Sequence, residues 1–134
     1  MSDPKLLLMG LLEDEWTDGS EPRFIADWVD EKTGYPAVTV THLATRITPL
    51  GFSDNIPAAD RRLEGDYLVD VWSLESEERY NMLREADRVL KSKTAEPPGD
   101  LERLWVSGWV DLDERQLRPP IYRSQLHVGV LYYG

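Results

Sequence analysis

A change of hydrophobic period between residues 66 and 93 constrains the fold most strongly. Residues 66–73 alternate, with Tyr67, Val69 and Val71 on one side of a predicted strand. Residues 75–93 then follow the helical period and place a stripe of apolar side chains on one side, which comprises Met82, Leu83, Ala86, Val89 and Leu90. Residues 97–99, Pro-Pro-Gly, end this helix. The pattern therefore predicts a strand followed by a helix that packs on a sheet.

The other segments supply one more helix and three more strands. Residues 1–16 form a predicted N-terminal helix, and period-two alternation predicts strands at 37–44, 104–112 and 122–133. A short apolar segment fits either a helical turn or a strand, and contains Phe24, Ile25, Trp28 and Val29. Residues 46–65, rich in Pro and Gly, are predicted as a long loop between two strands.

The order of these elements predicts an α+β fold. It consists of a single four-stranded, mostly antiparallel sheet with two helices packed on it and a long strand-to-strand loop. The 134 residues are typical of a single domain, which we expect to span residues 1–134.

The charge of the chain limits its partners. Lys and Arg number 15 and Asp and Glu number 25, which gives a formal net charge of −10. Such acidity argues against a free-standing nucleic-acid binder, whose affinity comes mostly from neutralising phosphates. An acidic, Lys-poor composition resembles that of proteins from salt-loving archaea and their viruses, although an ordinary acidic protein is the alternative. No run of about 18 apolar residues occurs, so we expect no membrane association.

The sequence offers little for catalysis, and we expect no enzymatic activity, no metal and no cofactor. The two histidines, His42 and His127, lie in predicted strands, and neither a nucleophile motif nor zinc-ligand spacing accompanies them. Carboxylates are so frequent that their proximity carries no information. A small enzyme that uses carboxylates, alone or with His42 or His127, stays an open alternative.

Aromatic residues instead indicate an interface. Trp105 and Trp109 are expected on one face of a strand, and the chain ends in an apolar, aromatic strand. Together with basic and aromatic residues of the long loop, they give a set of candidate interface residues, namely Arg46, Phe52, Arg61, Arg62, Trp105, Trp109, Tyr132 and Tyr133.

An ordered combination of segments carries a resemblance to a known family. It consists of the strand–helix unit at 67–90, the Trp-bearing strand at 104–112 followed by Glu114, and the aromatic-ended strand at 122–133. Gly34-Tyr35-Pro36 before the first long strand also fits. In these features the chain resembles the tail-terminator, or tail-completion, proteins of long-tailed viruses of bacteria and archaea, and a haloarchaeal virus would suit its acidity.

The resemblance implies a structural role in the virion, at the head–tail junction, after assembly in the host cytoplasm. Family members form a homo-hexameric ring that terminates the tail tube. The implied partners are other copies of the chain, the tail tube protein and the head-completion or connector protein, and viral DNA passes through the channel without sequence-specific binding. The alternatives are another connector component, such as a stopper or adaptor, and a soluble acidic α+β binding domain.

Overall fold

Two helices and five strands make up the described part of the chain, which covers residues 3–26, 34–48 and 61–133 of a computed structural model. In chain order they are α1 (Pro4–Glu15), β1 (Arg23–Ala26), β2 (Ala37–Thr48), β3 (Arg62–Ser73), α2 (Ser76–Ser92), β4 (Arg103–Asp111) and β5 (Tyr122–Tyr133). The α+β class, the two helices and the strand–helix unit at 66–93 are confirmed.

The sheet has five strands in the order β1-β2-β3-β5-β4 and is mixed, so the prediction of four strands is corrected. The additional strand is β1, which pairs in parallel with β2, whereas the remaining pairs are antiparallel. The segment that fitted either a helical turn or a strand is therefore a strand at Phe24 and Ile25, while Trp28 and Val29 lie outside the described residues. Four residues are too few for alternation to distinguish these two possibilities.

Both helices pack on one side of the sheet, which we call the helix face. Asp3 caps α1 by accepting a hydrogen bond from the Lys5 amide at 3.0 Å, and Leu8 and Leu12 are fully buried. In α2 the predicted apolar stripe is buried throughout, against inward residues of β3 and β5 such as Val69 and Leu126. No helix in the described ranges is both long enough and apolar enough to cross a bilayer.

The hairpin of β2 and β3 is longer than the sequence predicts. Pairing continues from Ala37 and Trp72 to Thr48 and Arg62, so the ends of the predicted 46–65 loop belong to strands. A bulge at Leu43 shifts the register of β2. The side chains beyond it do not continue the alternation that precedes it, so the pattern in the sequence ends before the strand does. The part of the predicted loop at 49–60, which includes Phe52, lies outside the described residues.

The side of the sheet opposite the helices, which we call the open face, buries polar side chains. Asp70 is 1% exposed and accepts a hydrogen bond from Arg123 Nε at 3.0 Å. The Arg123 guanidinium lies over the Trp72 ring at 4.3 Å, and Trp72 Nε1 donates to Thr39 Oγ1 at 3.0 Å. Burial raises the pKa of Asp70 more than its hydrogen bonds and charge attraction to Arg123 lower it.

Candidate functional site

One end of the sheet gathers several of the predicted interface residues. The last rows of the β2–β3 hairpin pair Thr48 with Arg62 and Arg62 with Tyr133. We call this end the hairpin-end surface; its members are Arg46, Ile47, Arg61, Arg62 and Tyr133, and all five are exposed. Tyr133 is 42% exposed and lies on the open face with Arg46 and Arg62, whereas Ile47 is 54% exposed and lies on the helix face.

The charges of this surface are partly balanced within the sheet. Arg46 bridges Glu64 at 3.2 Å and Asp66 at 2.8 Å, both on the neighbouring strand. Its hydrogen bonds to these carboxylates raise the pKa of Arg46, which therefore remains charged. Arg62 lines a depression of about 260 Å³ on the open face, together with Trp105. Arginine beside an indole is a composition typical of interface centres.

Trp105 and Trp109 lie on opposite faces of the sheet, so the prediction that they share a face is wrong. Trp105 pairs with Gly129 and Trp109 with Leu126, and these two partners are three residues apart on a regular strand. A bulge between Val106 and Gly108 reverses the alternation within β4. Trp105 is half-buried on the open face, whereas Trp109 is 46% exposed on the helix face.

The Trp105 ring occupies the space where Gly129 has no side chain. A Cβ built on Gly129 would lie 2.2 Å from the indole, so only glycine fits beneath it. The guanidinium of Arg103 lies 5.8 Å from the centre of the same indole. Trp105 thus packs closely on Gly129, beside the hairpin-end surface.

A second surface lies between α2 and β4. We call it the edge groove; it has a volume of about 500 Å³ and is lined by Arg84, Asp87 and Lys91 of α2 and by β4 from Trp105 to Trp109. Asp87 is 8% exposed and forms no hydrogen bond or ion pair with any residue of the described ranges, and no enclosed side-chain oxygen of these ranges lacks a partner, so its carboxylate reaches the groove. A carboxylate in this position is available to a donor from outside the chain. This groove was not predicted, although Arg84, Asp87 and Lys91 recur at helical spacing in the sequence.

Two predicted interface residues differ from the rest. Tyr132 packs in the hydrophobic core and is 9% exposed, because it alternates with the exposed Tyr133. Phe52 lies outside the described residues.

The side chains considered for catalysis do not form a common site. His42 and His127 lie in strands, as predicted, and both are exposed. His42 shares a row with Tyr67 and Val128 on the helix face, whereas His127 shares one with Leu68 on the open face. Within the described ranges, no group of three or more His, Cys, Asp or Glu side chains could hold a metal ion.

No protein-family model matches the chain, and no curated protein sequence matches it.

Proposed function

We propose that this chain is a structural virion protein that forms a ring at the head–tail junction, terminates the tail tube and joins it to the head connector. Viral DNA passes through the channel of this ring, and the protein performs no covalent chemistry. The specific form of the proposal is a tail terminator, and the resemblance of residues 67–133 to that family is its starting point.

The hairpin-end surface is the observation that carries the proposal. A ring that caps a tube needs a surface directed along the ring axis, toward the tube. At these strand ends Arg62 and Tyr133 lie on the open face and Ile47 lies on the helix face, so basic and aromatic contacts are available on one side and an aliphatic contact on the other. The two long strands that bear this surface pair over twelve residues each, so it has a rigid support.

The architecture favours the terminator over its neighbours in the connector. A stopper would more often be a small β-barrel and an adaptor mostly helical, whereas the described residues form a mixed sheet with two helices. The net charge of −10 is compatible with DNA passage, because an acidic channel repels phosphates and lets DNA slide.

A soluble acidic α+β binding domain is the second candidate, and the edge groove favours it. A groove of about 500 Å³ beside two tryptophans is large enough for a small ligand. For such a domain we expect a stable monomer that binds a ligand and does not bind tail tubes.

Native mass spectrometry and negative-stain imaging in high salt with magnesium provide the first test. We expect closed rings of the purified chain, or rings that assemble on the ends of tail tubes when the two are mixed. A chain that stays monomeric in both conditions and leaves tube ends uncapped would contradict the proposal.

A charge reversal at the hairpin-end surface tests the tube contact itself. We expect Arg62→Glu to preserve the fold and to reduce the capping of tail tubes. Arg115→Glu is the matched control, because Arg115 is also exposed but lies in the β4–β5 connection at the opposite end of the strands. Equal capping by the two variants would remove the hairpin-end surface from the tube contact.

A replacement of residues 49–60 by a short turn tests the remainder of the predicted long loop. Thr48 and Arg62 are paired, so a short turn can join the two strands. We expect the shortened chain to fold and to lose its ability to join the tube or connector. Loss of the folded state would instead assign the segment a structural role.

A further inference from the structure

The sheet has two dissimilar edges. Among the described residues, no strand pairs with the outer side of β4 or with the outer side of β1. An unpaired edge presents backbone N–H and C=O groups that can pair with another chain. Since β1 is parallel to β2 and every other pair is antiparallel, β1 and β4 run in opposite directions.

The two edges also match in position along the strands. One row of paired residues crosses the sheet from Ile25 to Val110, by way of Thr39, Asp70 and Gln125. The next row runs from Ala26 to Trp109. Three residues of β1 therefore lie in the rows of Trp109–Asp111, at one end of β4, and the fourth, Arg23, lies one row beyond that end.

We infer that β4 of one copy pairs antiparallel with β1 of the next copy, so that the sheet continues from subunit to subunit. This inference rests on the proposed ring. In a ring whose axis lies along the strands, rotation about this axis relates each copy to the next. This rotation keeps the strand direction and does not shift the copies along the axis. β4 of one copy therefore meets β1 of the next copy antiparallel, with the matching rows at the same height. Because the two edges differ, the contact is heterologous, which is the type that closes rings.

The side chains at the two edges are suited to this contact. Val110 is 43% exposed on the open face, in the row of the half-buried Ile25. Trp109 is 46% exposed on the helix face, in the row of Ala26, whose small side chain leaves room for the indole. Pairing of β4 with β1 would cover apolar side chains that a single chain leaves in water.

The helices bring complementary charges to the same contact. Trp16 packs against Phe24 of β1 with ring centres 5.5 Å apart, and Glu13 lies one turn earlier on that side of α1, exposed. In the continued sheet, this side of α1 faces the edge groove of the neighbouring copy, where Arg84 and Lys91 outweigh the single carboxylate of Asp87. The opposite charges favour the head-to-tail arrangement over pairing of two identical edges.

Cysteine cross-linking tests the register. Because the chain has no native cysteine, only the introduced thiols can react. The variant carrying Ile25→Cys and Val110→Cys is oxidised, or treated with a short bifunctional thiol reagent. Directly opposed side chains in antiparallel strands have Cβ atoms about 4.5–5.5 Å apart. We expect a ladder of covalent oligomers that ends at the size of the ring.

Three controls make the result specific. Each single variant should remain monomeric on denaturing gels, because Val110→Cys alone cross-links only if two β4 edges meet. The pair Ala26→Cys with Val110→Cys places the thiols on opposite faces and should cross-link much less. A ladder that is equally strong for this pair, or a dimer from Val110→Cys alone, would overturn the inference.

A second variant guards against loss of folding by the cysteine pair. Trp109→Ala should weaken self-association roughly tenfold or more, as expected for a central tryptophan. Tyr80→Ala is the control, because Tyr80 is 56% exposed on α2 but does not line the edge groove. Equal association by both variants would overturn the inference.

The outcomes also separate this inference from the proposed function. Rings that cap tubes without Ile25–Val110 cross-links would contradict the edge contact and leave the terminator role standing. Cross-linked oligomers that never cap a tube would support the edge contact and contradict the terminator role.

Discussion

Glu85 is expected to fix the chain after α1 onto α2, and its replacement by glutamine tests this. Its Oε2 atom accepts hydrogen bonds from the Thr17 amide at 2.8 Å, the Thr17 hydroxyl at 2.9 Å and the Asp18 amide at 2.6 Å. Its Oε1 atom accepts from Arg88 Nε. The Glu85 side chain is 6% exposed, so water cannot replace these donors easily.

The cost of Glu85→Gln follows from this geometry. Glutamine has one acceptor oxygen, so its amide nitrogen must face either Arg88 or the donors of Thr17 and Asp18. Hydrogen bonds to a charged group contribute about 1.5–3 kcal/mol each and neutral ones about 1 kcal/mol. The bond to Arg88 contributes little, because the Arg88 side chain is 52% exposed. We therefore expect a loss of about 2 kcal/mol in the free energy of unfolding, mainly from weakening the three bonds to residues 17 and 18.

Urea unfolding measures this loss. The midpoint should fall by about 1 M with an unchanged slope, since the surface exposed on unfolding stays the same. Glu96→Gln is the matched control, because Glu96 is exposed and forms no hydrogen bond or ion pair with any described residue. The reasoning is refuted if the midpoint of Glu85→Gln lies no further from that of wild type than the midpoint of Glu96→Gln does.

The same pair of proteins gives a pH test. Burial raises the pKa of Glu85, but the hydrogen bonds from Arg88, Thr17 and Asp18 together lower it further, to below its usual value. A lowered pKa contributes stability above the ordinary glutamate value of about 4.3 and loses it as the pH falls. The difference between wild type and Glu85→Gln should therefore shrink from about pH 5 downward. A difference that widens on acidification would contradict this assignment.

Three further expectations concern the fold and the charge. Gly129→Ala should cost about 2–3 kcal/mol and change the tryptophan fluorescence, because the new Cβ displaces Trp105, whereas Gly19→Ala, with no atom within 4 Å, should cost little. Arg79→Met should cost about 3 kcal/mol in urea titration, because it leaves the largely buried Asp113 without its ion-pair partner. If the acidity is an adaptation to salt, Tm should rise in molar KCl as the self-repulsion at a net charge of −10 is screened, and a flat or falling Tm would contradict it.

The parts of the fold that the sequence predicts are those with a long, regular hydrophobic period. The stripe on α2 and the twelve-residue alternation of β5 each repeat often enough to determine the element and its buried side. β1 has only four residues, and it pairs in parallel with β2, from which a connection separates it along the chain. Its identity as a strand therefore depends on the position of β2, which a local pattern does not contain.

Bulges explain two errors, namely the early end predicted for β2 and the shared face predicted for Trp105 and Trp109. At Leu43 and between Val106 and Gly108, one residue is inserted into a strand without an opposite partner. Each insertion reverses the face of all residues beyond it, so Trp109 leaves the face of Trp105. The alternation beyond Leu43 is also masked by Arg46, which forms ion pairs on the open face and adds no hydrophobic signal.

The candidate site could be predicted only as a set of residue types. Arg46, Arg62 and Tyr133 are distant in the chain, and they meet because two antiparallel registers bring β2 and β5 to opposite sides of the same end of β3. Neither register can be read from composition. The unpaired carboxylate of Asp87 is likewise a property of the folded chain, since it depends on which donors α2 and β4 leave out of reach.

The two surfaces are compatible with a single assembly because strand edges and strand ends point in perpendicular directions. In the proposed ring, the lateral contact uses the edges at Arg23–Ala26 and Trp109–Asp111, which lie at one end of the long strands. The hairpin-end surface lies at the other end, where Thr48, Arg62 and Tyr133 form the last row. Ring closure therefore leaves that surface free, directed along the axis toward the tube. If both surfaces were required for the same contact, Arg62→Glu would abolish ring formation; with the contacts separated as proposed, it reduces capping while rings persist.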